Sequence, residues 1–181
     1  MLTKKEVRQL IQSKKRESDP VMRKEAALSC SELLFGLKQW KNAKIILTYI
    51  SYNKEMSTDL ILSRAFEEGK TVAAPRVEGE NMNFYIFSSK DELGKSEMGI
   101  LEPLKNTLPV DEEALMIMPG VAFDLERNRV GYGGGFYDKY LEMHPKHYKI
   151  AIAYEFQILS DFETSEFDLK PDLIVTESRI I

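Results

Sequence analysis

The chain predicts an α/β fold. Short apolar runs of strand length alternate with segments of helical period, glycine and proline punctuate the joins, and one apolar run feeds a glycine-rich loop ahead of a helix. Such alternation builds a layered architecture around a largely parallel central sheet. With 181 residues, 43% hydrophobic and 30% charged, the sequence suits one globular domain over residues 1–181 with a substantial core.

Taken in order, Thr3 and Glu6 have the spacing of a capping box, and Val7, Leu10 and Ile11 recur at helical spacing on a strongly basic first helix. Asp19 and Pro20 mark a break and a second helix start, with Val21, Leu28, Leu33, Leu34 and Leu37 as its apolar positions. After Trp40, residues 43–50 form an apolar run suited to a buried strand. Ser57 or Thr58 is expected to cap a helix that Gly69 ends, followed by strands at 71–75 and 82–87. Residues 88–113 mix Ser, Gly, Pro and acidic residues and are expected to run over the surface. Residues 115–118, 149–154 and 173–176 are further strands, and 137–143 a helix.

The most informative segment is Gly131, Gly133, Gly134 and Gly135, four of ten glycines in five positions, closed by Phe136, Tyr137 and Asp138. Glycine permits positive φ and close approach, so successive amides can converge on a phosphate, and a following helix N-terminus favours the same anion. Arg129 before the loop and Lys139 after it add charge, the aromatic pair can cover a planar ring, and Asp138 can hold a hard cation. Neither standard phosphate loop fits: no Lys-Ser/Thr follows the glycines, and Phe136 stands where a dinucleotide fingerprint needs glycine. A plain turn is the competing reading of the glycines alone.

Residues 119–124 followed by 129–138 (PGVAFD, then RVGYGGGFYD) resemble the signature of the 5-formyltetrahydrofolate cyclo-ligase family, whose members are also called 5,10-methenyltetrahydrofolate synthetases. The resemblance extends along the chain through Lys4 and Arg8, Glu55 and Thr58, Pro75 and Arg76, Gly99 to Pro103, and Pro171 and Asp172. It implies a three-layer α/β/α sandwich of the ribose-phosphate isomerase and CoA-transferase type. It implies that Lys4, Lys5, Glu6, Val7 and Arg8, with residues 129–137 (Arg129, Val130, Gly131, Tyr132, Gly133, Gly134, Gly135, Phe136, Tyr137), bind ATP. Ile50, Glu55 and Tyr132 through Phe136 would contact the folate, and Asp138 and Asp172 would bind Mg2+. Phe136 stands where many members carry Tyr, which removes a hydroxyl there and leaves stacking.

Each of these residues has a plainer reading. Lys4 and Arg8, one helical turn apart, could be solvated charge, Ile50 ordinary core, Glu55 a loop residue, and either Asp a cap or turn residue. His144 and His147 flank Pro145, which interrupts any helix that would align them, and are read as a surface loop. The single Cys30 excludes an internal disulfide and a Cys-built zinc site and is expected to be buried. A net charge of −4 argues against a broad nucleic-acid surface. The start has no apolar signal segment and no run approaches 18 apolar residues, so a cytoplasmic protein without membrane, nucleic-acid or obligate protein partners is expected.

The activity implied is ATP-dependent cyclisation of 5-formyltetrahydrofolate to 5,10-methenyltetrahydrofolate through an N5-iminium phosphate, which needs no protein nucleophile. The alternatives are a non-catalytic nucleotide- or folate-binding regulator on the same scaffold, or a sugar-phosphate isomerase-like enzyme. The latter requires a positioned general base that the sequence does not identify.

Overall fold

A computed structural model describes residues 1–109, 113–165 and 168–181. In chain order the elements are α1 (Lys4–Glu17), α2 (Pro20–Gly36), α3 (Lys38–Asn42), β1 (Ile45–Thr48), α4 (Asp59–Glu67), β2 (Thr71–Glu78), β3 (Asn81–Ile86), β4 (Leu93–Lys95), β5 (Leu101–Pro103), β6 (Leu115–Met118), β7 (Ala122–Phe123), β8 (Arg129–Val130), α5 (Phe136–Met143), β9 (Tyr148–Ile152) and β10 (Leu173–Val175). Six strands form one sheet in the order β10-β9-β6-β1-β2-β3, parallel throughout except for the antiparallel edge strand β3. The α/β class and largely parallel sheet expected from the sequence are present.

The strand residues explain why the sheet is covered on both faces. In β1 every residue is buried, and the pleat sends Ile46 to one side while Ile45 and Leu47 go to the other. Ile46, with Val72, Leu115 and Ile117, packs under Cys30 and Leu34 of α2 and Ile61 and Leu62 of α4. Leu47, with Ala73, Met116 and Met118, packs under Tyr140 and Leu141 of α5. A third cluster seats Val7 and Ile11 of α1 against Ala122, Val130 and Phe162.

Local signals act as expected at several joins. Thr3 and Glu6 form the reciprocal capping box of α1, and Asp19 caps α2 by accepting from the amides of Val21 and Met22. Other expectations are corrected. Of the two residues expected to cap α4, Ser57 accepts from Asp59 N (3.3 Å), the first amide of the helix, whereas Thr58 at the N-cap position makes no cap bond because its hydroxyl accepts from Ser51 N (3.1 Å) across the preceding loop. Val21 and Leu28 of α2 and Leu10 of α1 are substantially exposed, because only one stripe of each helix meets the layer beneath. His147 is buried rather than on a surface loop: Nδ1 accepts from Ala114 N (3.3 Å), and its ring stacks with Tyr140 and His144. Within 88–113, β4 and β5 form a hairpin; residues 110–112 of that stretch lie outside the described residues. The β7–β8 hairpin before the glycine loop is too short for its pattern to stand out in the sequence.

Burial pushes the Cys30 thiol up to about 12, reinforced by the negative charge of Glu177. The thiolate is the reactive form, so native protein at pH 8 is expected to be inert to a disulfide reagent and to react stoichiometrically once unfolded. Rapid labelling of the native protein would contradict this burial.

Candidate active site at the strand ends

The sheet itself selects the site. From β1 the chain proceeds to β2 on one side and later returns to β6 on the other, so the strand order switches between β1 and β6. In open α/β sheets ligands bind beyond the carboxyl ends of strands at such a point. A cavity of about 1570 Å³ lies there, lined by Tyr49 and Ile50 just after β1 and by Pro119 just after β6. Single small-ligand pockets span roughly 300–1,000 Å³, so this volume has room for two ligands side by side.

One wall is cationic. Because α1 buries Val7 and Ile11, its neighbouring face turns Lys4, Lys5, Arg8 and Lys15 to the cavity. Arg8 Nε donates to the carbonyl of Gly131 (2.9 Å), which ties α1 to the glycine loop. Lys4 Nζ pairs with Asp168 at 2.5 Å. Lys15 lies 6.0 Å from the Tyr132 ring centroid, and burial lowers its pKa against the opposing pull of Glu55. Of the N-terminal residues expected to meet a nucleotide, Glu6 and Val7 do not line the cavity: Glu6 is spent on the capping box and Val7 on the core.

The glycine loop is the second wall. Gly131, Tyr132, Gly133, Gly134, Gly135, Phe136, Tyr137 and Asp138 all line the cavity, whereas Val130 is buried against α1. Gly133 and Gly135 have φ of +108° and +65°, conformations that L side chains rarely adopt. At Gly134 the constraint is space: a Cβ there would lie 2.7 Å from Phe136 Cε2. The loop thus brings backbone and the first turn of α5 to the cavity without intervening side chains, an arrangement suited to an anion.

Beneath it lies Arg129, with its side chain 5% exposed. Nη2 donates to Asp138 Oδ1 at 2.6 Å, and Nε approaches Leu169 O at 3.5 Å. Asp138 is therefore the counter-ion of a buried guanidinium as well as a cavity residue.

Adjoining both walls is the loop after β1. Glu55 accepts from Tyr52 N through Oε2 (2.8 Å) and from Tyr132 Oη through Oε1 (2.7 Å), which joins this loop to the glycine loop. Tyr49 Oη donates to Met56 O (2.7 Å) and Tyr154 Oη to Glu55 O (3.0 Å), pinning the loop from below. Met98, Ile100 and Leu101 of the β4–β5 hairpin region add an apolar wall.

The structure thus gathers Lys4, Lys5, Arg8, Ile50, Glu55, Arg129, Asp138 and residues 131–137 around one cavity. Asp172 is the exception. It precedes β10 at the sheet edge, its carboxylate accepts from Lys149 N (2.7 Å) and pairs with Lys149 Nζ (2.8 Å), and it does not line the cavity. The two aspartates expected to share a metal are engaged by different cations. Among the described residues no group of three or more His, Cys, Asp or Glu is arranged to hold a metal ion. Lys15, Asp168 and the hairpin are cavity features that sequence reasoning missed. For Lys15 the signal was present, since it lies seven positions after Arg8 on the same helical face.

Comparison with known proteins bears on this geometry. The 5-formyltetrahydrofolate cyclo-ligase family model matches residues 1–177. A probable 5-formyltetrahydrofolate cyclo-ligase of Schizosaccharomyces pombe is 32% identical over 174 residues, covering 86% of this chain and 85% of the relative. The 5-formyltetrahydrofolate cyclo-ligase of Escherichia coli K12 is 25% identical over 179 residues, covering 94% and 98%. Among solved structures, a 5,10-methenyltetrahydrofolate synthetase of Aquifex aeolicus superposes with a TM-score of 0.87 at 29% identity, covering 98% of this chain and 91% of the other. One from Mycoplasma pneumoniae shares the fold at a TM-score of 0.73 and 21% identity, covering 96% and 98%. A family match over nearly the whole length, with the family's glycine motif standing on the cavity wall, shows that the chain belongs to the 5-formyltetrahydrofolate cyclo-ligase family.

Proposed function

We propose that this protein is an enzyme that cyclises 5-formyltetrahydrofolate to 5,10-methenyltetrahydrofolate, with conversion of ATP to ADP and phosphate. One observation carries the proposal beyond family membership: a cavity large enough for two ligands has a cationic, glycine-lined wall beside Lys4 and Arg8 and a carboxylate at Glu55 on the adjoining loop. The first wall suits a triphosphate. The second suits the N–H edge of a pterin, because each Glu55 oxygen accepts one protein hydrogen bond and retains a lone pair.

The chemistry requires this adjacency. A formamide is a weak electrophile with a poor leaving group. In the reading proposed here, the formyl oxygen attacks the γ-phosphorus as the bond to ADP breaks, and the N5 lone pair stabilises the resulting iminium phosphate. N10 then attacks the same carbon, loses its proton, and phosphate departs. Both reacting centres of the second step lie in one molecule, so the protein's work is positioning and charge stabilisation. Lys4, Arg8 and the loop amides hold phosphate oxygens, Phe136 supplies an aromatic face at the junction, and Ile50 an apolar wall.

Asp138 fits a magnesium site of the usual kind, one carboxylate completed by phosphate oxygens and water, whereas Asp172 does not fit because it lies outside the cavity. A magnesium ion held at Asp138 would neutralise charge on the phosphates.

The direct test is the near-ultraviolet absorbance of the methenyl product, expected to appear from 5-formyltetrahydrofolate only when ATP and magnesium are present. No product under these conditions rejects the proposal. Gly134→Val should stay folded, since the loop is exposed, yet lose about 10²-fold in turnover because displacement of Phe136 misplaces the reacting groups. Wild-type turnover in a folded variant would remove the loop from the phosphate site. Glu55→Gln should weaken folate binding about tenfold while leaving ATP binding nearly intact, as measured by separate titrations. An equal loss for both ligands would move the pterin away from Glu55.

A further inference from the structure

Three tyrosine hydroxyls donate to the loop of Glu55 and Met56: those of Tyr49 and Tyr132, which line the cavity, and that of Tyr154, which is buried in the core. A fourth, Tyr137, lines the same cavity, and its hydroxyl differs from the others. It is shielded from solvent yet has no hydrogen-bond partner among the described residues. A buried hydroxyl left in that state carries its desolvation cost uncompensated, and native proteins rarely retain one without a use. Its place is fixed, because Tyr137 sits in the first turn of α5 and its ring packs edge-on against the buried Phe84 at 6.2 Å and 74°.

The surroundings say what such a group can do. Burial, with the negative charge of Glu55, holds the hydroxyl well above the ordinary phenol range against the opposing pull of Arg129, so it stays protonated and is available as a donor. The same Glu55 charge disfavours an anionic partner beside it. Phosphate oxygens have their own donors at Lys4, Arg8 and the glycine loop, which leaves an uncharged acceptor as the complement.

We propose that the Tyr137 hydroxyl donates a hydrogen bond to a neutral carbonyl oxygen of the bound folate, which makes Tyr137 a folate-contacting residue rather than part of the nucleotide wall. The proposal rests on the function argued above and adds a second polar anchor near Glu55. Of the adjacent aromatics Phe136 and Tyr137, only the second can make this bond.

Tyr137→Phe removes the donor and nothing else of the side chain. Because no protein partner is lost, the melting temperature of the variant should equal or exceed that of the wild type. The dissociation constant for 5-formyltetrahydrofolate should rise about five- to tenfold while that for ATP stays within about twofold. Unchanged folate affinity, an equal loss for ATP, or a melting temperature lowered by several degrees would each overturn the proposal. The last would mean that the hydroxyl serves the fold. Wild-type protein that binds no folate would reject both this inference and the proposed function; wild-type binding with an unaltered variant would reject the role of Tyr137 alone.

Discussion

The cavity depends on one buried cation. Arg129 is almost wholly withdrawn from solvent, and its charge is met by Asp138 in the first turn of α5. Burying a guanidinium without a partner costs several kcal/mol, so the pair holds β8 and the start of α5 at a fixed separation. The chain between them must span that gap in a tight path, and the positive φ of Gly133 and Gly135 is how it does so. Gly131 is similarly constrained, since a Cβ there would lie 3.1 Å from Arg129 Nη1. The glycine pattern therefore has a structural cause of its own.

From that fixed loop two ties run outward. Arg8 reaches the Gly131 carbonyl and draws the cationic face of α1 alongside; Tyr132 reaches Glu55 and draws in the loop after β1. Three segments far apart in sequence thereby meet at the strand ends, and a cationic wall and a carboxylate line one cavity. A triphosphate and a neutral ring with N–H donors would each find its complement there without either having to displace the other.

Much of this was legible in the sequence because it depends on short-range pattern. The capping box at Thr3 and Glu6, the Asp19–Pro20 helix start and the strand at 115–118 are encoded by neighbours and form as expected. The glycine segment stood out as a candidate site because its flanking charge and aromatics weigh against a plain turn, and it lines the cavity. What escaped depends on tertiary placement. His147 looked like a loop residue because sequence does not show that Ala114 N and Tyr140 would enclose it. The hydroxyl of Thr58 found Ser51 instead of its own helix. Asp172 matched a family metal position by order along the chain, yet Lys149 engages it at the sheet edge, outside the cavity. Asp168, beside Lys4, had no pattern to announce it.

In the proposed reaction a phosphoryl group passes directly from ATP to the formyl oxygen within the shared cavity. Turnover of 5-formyltetrahydrofolate labelled with 18O in the formyl group tests this most directly. The label is expected to leave in the inorganic phosphate, one oxygen per turnover. Phosphate released without label would mean that ATP hydrolysis and ring closure are separate events, and would contradict the arrangement described.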